Sequence, residues 1–198
     1  MTAAPSVSPS KSPTKAPTPP TNPPTNKPTQ NTRKVTNNYE AETYSSSSGV
    51  SIKTAHPGYT GGGFVDYGGA GTWIEMRNVD GGMGGVCSIT SNYALGSGTR
   101  YCSVTVNGVL VQGQRFTFTS TGAWASWDDS NTIQIPCNPG ATNTIRITAG
   151  PNTAGPNLNS ITVTSDEEVP TTNSPTSSPS RSPSKEPSRA PSKEVRFC

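Results

Sequence analysis

The stretch Ser103-Val104-Thr105-Val106-Asn107-Gly108 decides the fold. Its first four residues alternate polar with apolar, which places one set of side chains on each face of an extended strand. Asn-Gly then supplies the two positive-φ positions that a tight hairpin needs. The same period of two recurs in Arg115-Phe116-Thr117-Phe118, Thr132-Ile133-Gln134-Ile135, Thr144-Ile145-Arg146-Ile147 and Ser160-Ile161-Thr162-Val163. Further strands are predicted at residues 50–53, 63–67, 73–79 and 86–94, separated by Gly-rich breaks such as Gly81-Gly82-Met83-Gly84-Gly85. No segment sustains an apolar period of 3.6 residues. The prediction is therefore all-β, a sandwich of two packed antiparallel sheets.

Outside this region the chain changes material. All 20 Gly fall between Gly49 and Gly155, whereas 15 of the 20 Pro fall outside residues 38–165. Pro5, Pro9, Pro13 and Pro17 recur every four residues among Ser and Thr, as do Pro175, Pro179, Pro183, Pro187 and Pro191. Such segments have almost nothing apolar to bury and favour extended polyproline II. Residues 1–37 and 166–198 are predicted to be disordered linkers around one domain, residues 38–165. That domain holds all three Trp and all six Tyr, enough for one core. Ser and Thr beside Pro resemble O-glycosylated stalks, and no Asn-x-Ser/Thr sequon occurs.

Charge narrows the partners. The net charge of +3 belongs to the first linker, which carries five Lys/Arg and no acid, while the domain carries five bases against seven acids. Arg77, Arg100, Arg115 and Arg146 are scattered, so no nucleic-acid partner is expected. No stretch approaches the roughly 18 to 20 apolar residues of a membrane span, so no membrane partner is expected either. The start, MTAAPSVSPSKSPTKAP, has no apolar region of a secretory leader, and the chain is expected to be a fragment or to lack its true start.

Candidate chemistry is sparse. His56 is the single histidine, in the turn Thr54-Ala55-His56-Pro57-Gly58, and reads as a surface or hydrogen-bonding residue. Gly61-Gly62-Gly63 lacks the Lys-Ser/Thr of a phosphate loop. Asp128 and Asp129 are adjacent, so on an extended chain they point opposite ways and do not flank one substrate as a glycosidase pair would. Cys87, Cys102 and Cys137 all fall on the apolar phase of their strands and should point inward. They read either as buried free thiols or as containing one bridge, with Cys87–Cys102 the expected pair. Trp124 and Trp127 are three apart and so face opposite sides. Trp124, in a Gly-flanked loop, is expected to offer a flat face to a sugar ring, and Trp127 to be core.

The order of several fragments resembles carbohydrate-binding module families 6 and 35. They are Tyr39-Glu40-Ala41-Glu42, Gly58-Tyr59-Thr60-Gly61-Gly62-Gly63-Phe64-Val65-Asp66, Gly71-Thr72-Trp73-Ile74-Glu75, Val106-Asn107-Gly108, Gly122-Ala123-Trp124-Ala125-Ser126-Trp127, Asn143-Thr144-Ile145-Arg146 and Gly155-Pro156-Asn157-Leu158-Asn159. The resemblance covers residues 38–165 and implies a non-catalytic jelly-roll β-sandwich, joined by linkers to a polysaccharide-degrading enzyme. It implies a sugar site at the loop end, with Phe64 and Trp124 as stacking faces and Asn157 hydrogen-bonding to hydroxyls. Phe64 stands where a Tyr is more usual, so one hydroxyl is lost. It also implies a structural Ca²⁺ held by Glu40 and Glu42, with Asn159 in place of a customary Asp.

The expected function is therefore targeting: a monomeric binding module, extracellular or in a cell wall, that holds a polysaccharide or oligosaccharide for an attached catalytic domain. The alternative is a structural or adhesion protein of an extracellular matrix or cell wall.

Overall fold

The computed structural model describes residues 31–170. In chain order its strands are β1 (Thr32–Glu40), β2 (Ser46–Ser48), β3 (Val50–Lys53), β4 (Phe64–Tyr67), β5 (Trp73–Asp80) and β6 (Gly85–Ala94). There follow β7 (Thr99–Val106), β8 (Val109–Thr119), β9 (Trp127–Asp129), β10 (Ile133–Cys137), β11 (Ala141–Ala149) and β12 (Asn157–Glu168). A single 3-10 turn, Ala41–Thr43, follows β1. One sheet has the order β10-β6-β12-β4-β3, with β1 also on β12 and β9 also on β6; the other has the order β2-β5-β11-β7-β8. All pairings are antiparallel, as the sequence predicts.

The alternation that predicts the strands also builds the core. Cys102, Val104 and Val106 of β7, Ile145 and Ile147 of β11, Ile133 and Ile135 of β10, and Ile161 and Val163 of β12 are all buried between the sheets. Burying each such aliphatic side chain contributes about 1.5 to 3 kcal/mol. Asn107 and Gly108, at φ 50° and 81°, close the β7–β8 hairpin directly between Val106 and Val109. The alternation fails where a strand is bulged. In β5, Asn78 has φ 58° and the register against β11 slips, so Met76 and Val79 are both inward although three apart. In β12 the register against β6 slips at Asn159, between Leu158 and Ser160.

On the outer face of the second sheet Glu75 is nearly buried and lies 2.7 Å from Arg146 and 3.2 Å from Arg77. Burial alone would raise its carboxyl. The hydrogen bonds and charge of Arg146 and Arg77 outweigh that effect and hold it below the usual carboxylate range.

Two expectations are corrected. The three cysteines point inward, but the bridge joins Cys87 to Cys137, with Cα atoms 6.0 Å apart, and Cys102 is free and buried. Cys87 lies opposite Ile135, two residues from Cys137 along β10, so the pair are same-face neighbours. Cys102, nearer in sequence, is on β7 in the opposite sheet. Burial pushes its thiol up to about 12. The ladder also passes the boundaries expected at residues 38 and 165. Thr32 through Glu40 pair with Glu168 through Ser160, and Arg33–Glu167 and Lys34–Asp166 ion pairs lie along the extension. The Pro repeats expected as linkers lie outside the described residues. No helix among the described residues is long and apolar enough to cross a membrane.

Candidate functional site

Phe64 and Asp66 are on the same phase of β4, opposite to Val65 and Tyr67, which join the core. Phe64 therefore faces outward from its sheet, yet only 1% of it is exposed. Three rings from neighbouring loops and strands cover it. His56 stacks at 5.8 Å, Tyr59 tilts against it at 5.7 Å, and Trp127 meets it edge-on at 5.4 Å. Tyr59 and Trp127 also touch edge to face, with centroids 6.3 Å apart. This is a second, aromatic cluster on the far side of the sheet from the main core. The Trp127 indole N–H donates to Pro57 O at 3.0 Å, fixing the β3–β4 loop to β9.

A pocket of about 280 Å³ opens beside this cluster, lined by Lys53, Ala55, His56, Phe64, Asp66 and Asn157. Strand register explains its floor. Lys53 lies opposite Phe64 across β3–β4, and Asp66 lies opposite Asn157 across β4–β12. Asn157 is 4% exposed, and its amide Nδ2 reaches Trp124 O at 3.4 Å. The pocket thus sets hydrogen-bond donors and acceptors, Lys53, Asp66 and Asn157, next to aromatic carbon.

The expected residues are partly brought together. Phe64 and Asn157 line one pocket, but Phe64 is the buried hub of the aromatic layer and offers no open face of its own. The rings above it, His56, Tyr59 and Trp127, are half-buried instead. Trp124 is half-buried as well and packs on the main core. Arg100 lies 5.1 Å from its ring centroid, and a Cβ on Gly96 would stand 2.6 to 2.9 Å from three of its pyrrole atoms. Trp127 is not core, because β9 is a short strand on the edge of its sheet and carries the ring over Phe64 rather than between the sheets. Lys53 and Asp66 were not singled out from sequence, and His56 reads there as a surface or hydrogen-bonding residue rather than as part of a site. Asp66 was findable, since a period of two places it with Phe64; nothing in the turn Thr54–Gly58 places His56 over Phe64.

A few residues along the chain, two carboxylates converge. Glu40 ends β1, and Glu42 lies in the following 3-10 turn. Thr60 Oγ1 donates to Glu40 Oε1 and Oε2 at 2.9 and 2.8 Å, and Gly62 N donates to Glu42 Oε1 at 2.7 Å. Gly61, at φ 67°, sits against both carboxylates, leaving no room for a Cβ. Neither carboxylate has a Lys or Arg partner within 4 Å among the described residues. Glu42 Oε2 is buried with no hydrogen-bond partner. The bulge at Asn159 turns its side chain into this site, where Oδ1 accepts from Thr60 N at 3.0 Å and Nδ2 donates to Asn92 Oδ1 at 3.0 Å. Among the described residues no three His, Cys, Asp or Glu side chains gather in one place.

The family model described as carbohydrate binding module (family 6) matches residues 40–165, the whole sandwich with this loop pole. The chain belongs to carbohydrate binding module family 6. Among solved structures the module is similar to a family 35 module from Paenibacillus barcinonensis, at 38% identity and TM-score 0.59, covering 64% of this chain and 97% of that one. It is also similar to a family 35 module from Clostridium thermocellum, at 32% identity and TM-score 0.59, covering 65% and 97%. Both matches support the family 6 and family 35 resemblance read from the sequence. An exo-beta-D-glucosaminidase of Amycolatopsis orientalis is 33% identical over 127 residues, which are 63% of this chain and 12% of that enzyme. The chain thus spans about an eighth of the length of the two enzymes it matches.

Proposed function

We propose that the module holds a polysaccharide at its loop pole and so targets an attached catalytic domain to that polymer. The observation that carries this reading is the pocket beside Phe64, where Asn157, Asp66 and Lys53 can exchange hydrogen bonds with hydroxyls next to a layer of aromatic rings. Sugar rings present C–H groups on one face and hydroxyls at their rim, which matches flat aromatic carbon bordered by polar groups. Tyr59, Trp127 and His56 supply the faces, Phe64 backs them, and Asn157 links the pocket to the Trp124 loop. The module itself is non-catalytic in this reading. The Cys87–Cys137 bridge supports an oxidising, extracellular setting.

Ca²⁺ fits the neighbouring carboxylates. Glu40 and Glu42 offer hard oxygens without cationic partners, one of them buried and unsatisfied, and Asn159 adds an amide oxygen. When bound, the ion supplies the positive charge that two neighbouring carboxylates lack. Glu40 and Glu42 anchor the β3–β4 loop through Thr60 and Gly62.

The test is affinity electrophoresis of the purified chain through gels containing soluble xylan, galactomannan, pectin, laminarin or chitosan. Retardation by at least one polymer, lost on Asn157→Ala in a chain that unfolds at the wild-type temperature, is the expected result. Wild-type migration through all of them, at concentrations that would reveal a millimolar dissociation constant, overturns the reading.

A further inference from the structure

The seven residues 57–63 are held at both ends by different chemistry. At one end Pro57 O accepts from Trp127, and a Cβ on Gly58, at φ 105°, would stand 2.7 Å from the Trp127 ring. Tyr59 packs on Phe64 and Trp127. At the other end Thr60 bonds Glu40 and Asn159, Gly61 lies under both carboxylates, and Gly62 bonds Glu42. The switch from aromatic to carboxylate contacts occurs between two adjacent residues, Tyr59 and Thr60.

A second route joins the same two places. Asn159 receives Thr60 N and donates to Asn92, whose Nδ2 donates to Asp129 Oδ1 at 2.9 Å. Asp129 is on the three-residue strand that begins with Trp127. The carboxylates thus reach Trp127 both through the loop backbone and through a chain of side-chain amides. From Thr60 to Asp129 each link of this second route is a hydrogen bond between named groups, and the β9 backbone completes it to Trp127, the kind of contiguous contact that carries coupling.

We propose that Thr60 is a positioning residue that ties the Glu40 carboxylate to the Tyr59–Phe64–Trp127 layer, so that a divalent cation held by Glu40 and Glu42 fixes the surface on which a sugar ring rests. Its role in carbohydrate binding rests on the function proposed above. Without a cation, two carboxylates crowd one glycine and one of their oxygens stays unsatisfied, so the loop is held against repulsion. A cation removes that opposition, and Thr60 transmits the gain to its neighbour. By linkage, a cation that tightens sugar binding is itself bound more tightly, by the same factor, when sugar is present.

The experiment uses the full chain stripped with chelator and titrated with CaCl₂ alone. Three readouts are followed: heat of binding, tryptophan emission, and amide hydrogen exchange in peptides spanning residues 57–63. The expected result is that Ca²⁺ shifts the emission and slows exchange in the loop, and that the emission shift is absent in Trp127→Phe. Thr60→Val, at an exposed position and nearly the same shape, should still bind Ca²⁺ but lose most of both responses. Thr60→Ser, which restores the hydroxyl, should recover them. A Thr60→Val chain that responds like wild type overturns the proposal, as does a wild-type chain that gives no heat with CaCl₂ or no response in the loop. A second arm repeats the gel retardation with CaCl₂ and with chelator, where a change of about fivefold or more is expected in the wild type and little in Thr60→Val. Retardation indifferent to CaCl₂ overturns the link to sugar binding. No retardation, alongside an intact Thr60-dependent response to CaCl₂, refutes the proposed function and leaves the link standing.

Discussion

Phe64→Ala separates two readings of the loop pole. Sequence reasoning makes Phe64 an open stacking face, whose loss would weaken sugar binding and spare the fold. The structure makes it a hub with 1% exposure, contacted by three rings at 5.4 to 5.8 Å. Truncating a buried Phe costs about 3 to 5 kcal/mol, the sum of lost transfer energy and the cavity left behind. The cavity here is roofed by loop residues that can partly collapse, which argues for the lower end, about 3 kcal/mol. For a domain of this size, each kcal/mol moves the melting temperature by roughly 3 to 4 °C, so a drop of about 10 °C is expected. Calorimetry measures it, and near-ultraviolet circular dichroism should show the aromatic cluster loosening in the folded protein. Phe64→Leu, which keeps most of the volume, should recover more than half of the loss. A melting temperature unchanged within about 2 °C would refute the hub, and unchanged melting with abolished retardation would restore the stacking face.

The bridge closes a separation of 50 residues, worth about 4 kcal/mol on the chain-entropy model, so Cys87→Ser with Cys137→Ser should destabilise by roughly that amount. Peptide mass spectrometry without reduction should find Cys87 joined to Cys137, and Cys102 unalkylated until the protein is unfolded, since its thiol is buried and pushed up to about 12. Glu75 sets a pH dependence. Its folded carboxyl is held below the unfolded value, so its contribution is present above the ordinary carboxylate range and is lost as pH falls through the folded value. Melting curves from pH 6 to pH 3 should therefore fall less steeply in Glu75→Gln than in wild type.

What was legible from sequence follows the alternation. β3 runs Val50–Lys53, as predicted, and β4, β5 and β6 begin and end within one residue of expectation, whereas β12 starts three residues before and ends five residues after the alternating stretch Ser160–Val163. β1 was hidden because Thr32–Glu40 sits at the edge of its sheet, pairs one neighbour, and buries none of its side chains fully, leaving no apolar period to read. The disulfide was misread because proximity along the chain is not proximity across a sandwich: β6 and β7 are consecutive but lie in opposite sheets. At the site, family resemblance pointed to Asn157, Glu40 and Glu42. It could not reveal the bulge that turns Asn159 toward Thr60, because a bulge is a property of register against β6 and not of β12 alone. The burial of Phe64 was illegible for a related reason. Its cover comes from residues 56 and 59, on a loop whose path no periodicity specifies, and from residue 127, on a three-residue edge strand too short to show one.

The β1–β12 ladder has a mechanical consequence. Thr32 pairs with Glu168, and Val169 N donates to Asn31 O, so the chain enters and leaves the sandwich side by side. The opposite end of the ladder is Glu40 beside Ser160, against the loop that carries Thr60. Tension applied between the two flanking segments would therefore unzip this ladder one residue pair at a time from the Thr32 end rather than shear it all at once. Glu40 would be the last to let go. A pull strong enough to open the first rungs would leave the loop pole assembled until the whole ladder had parted, a graded resistance set by the order of the register.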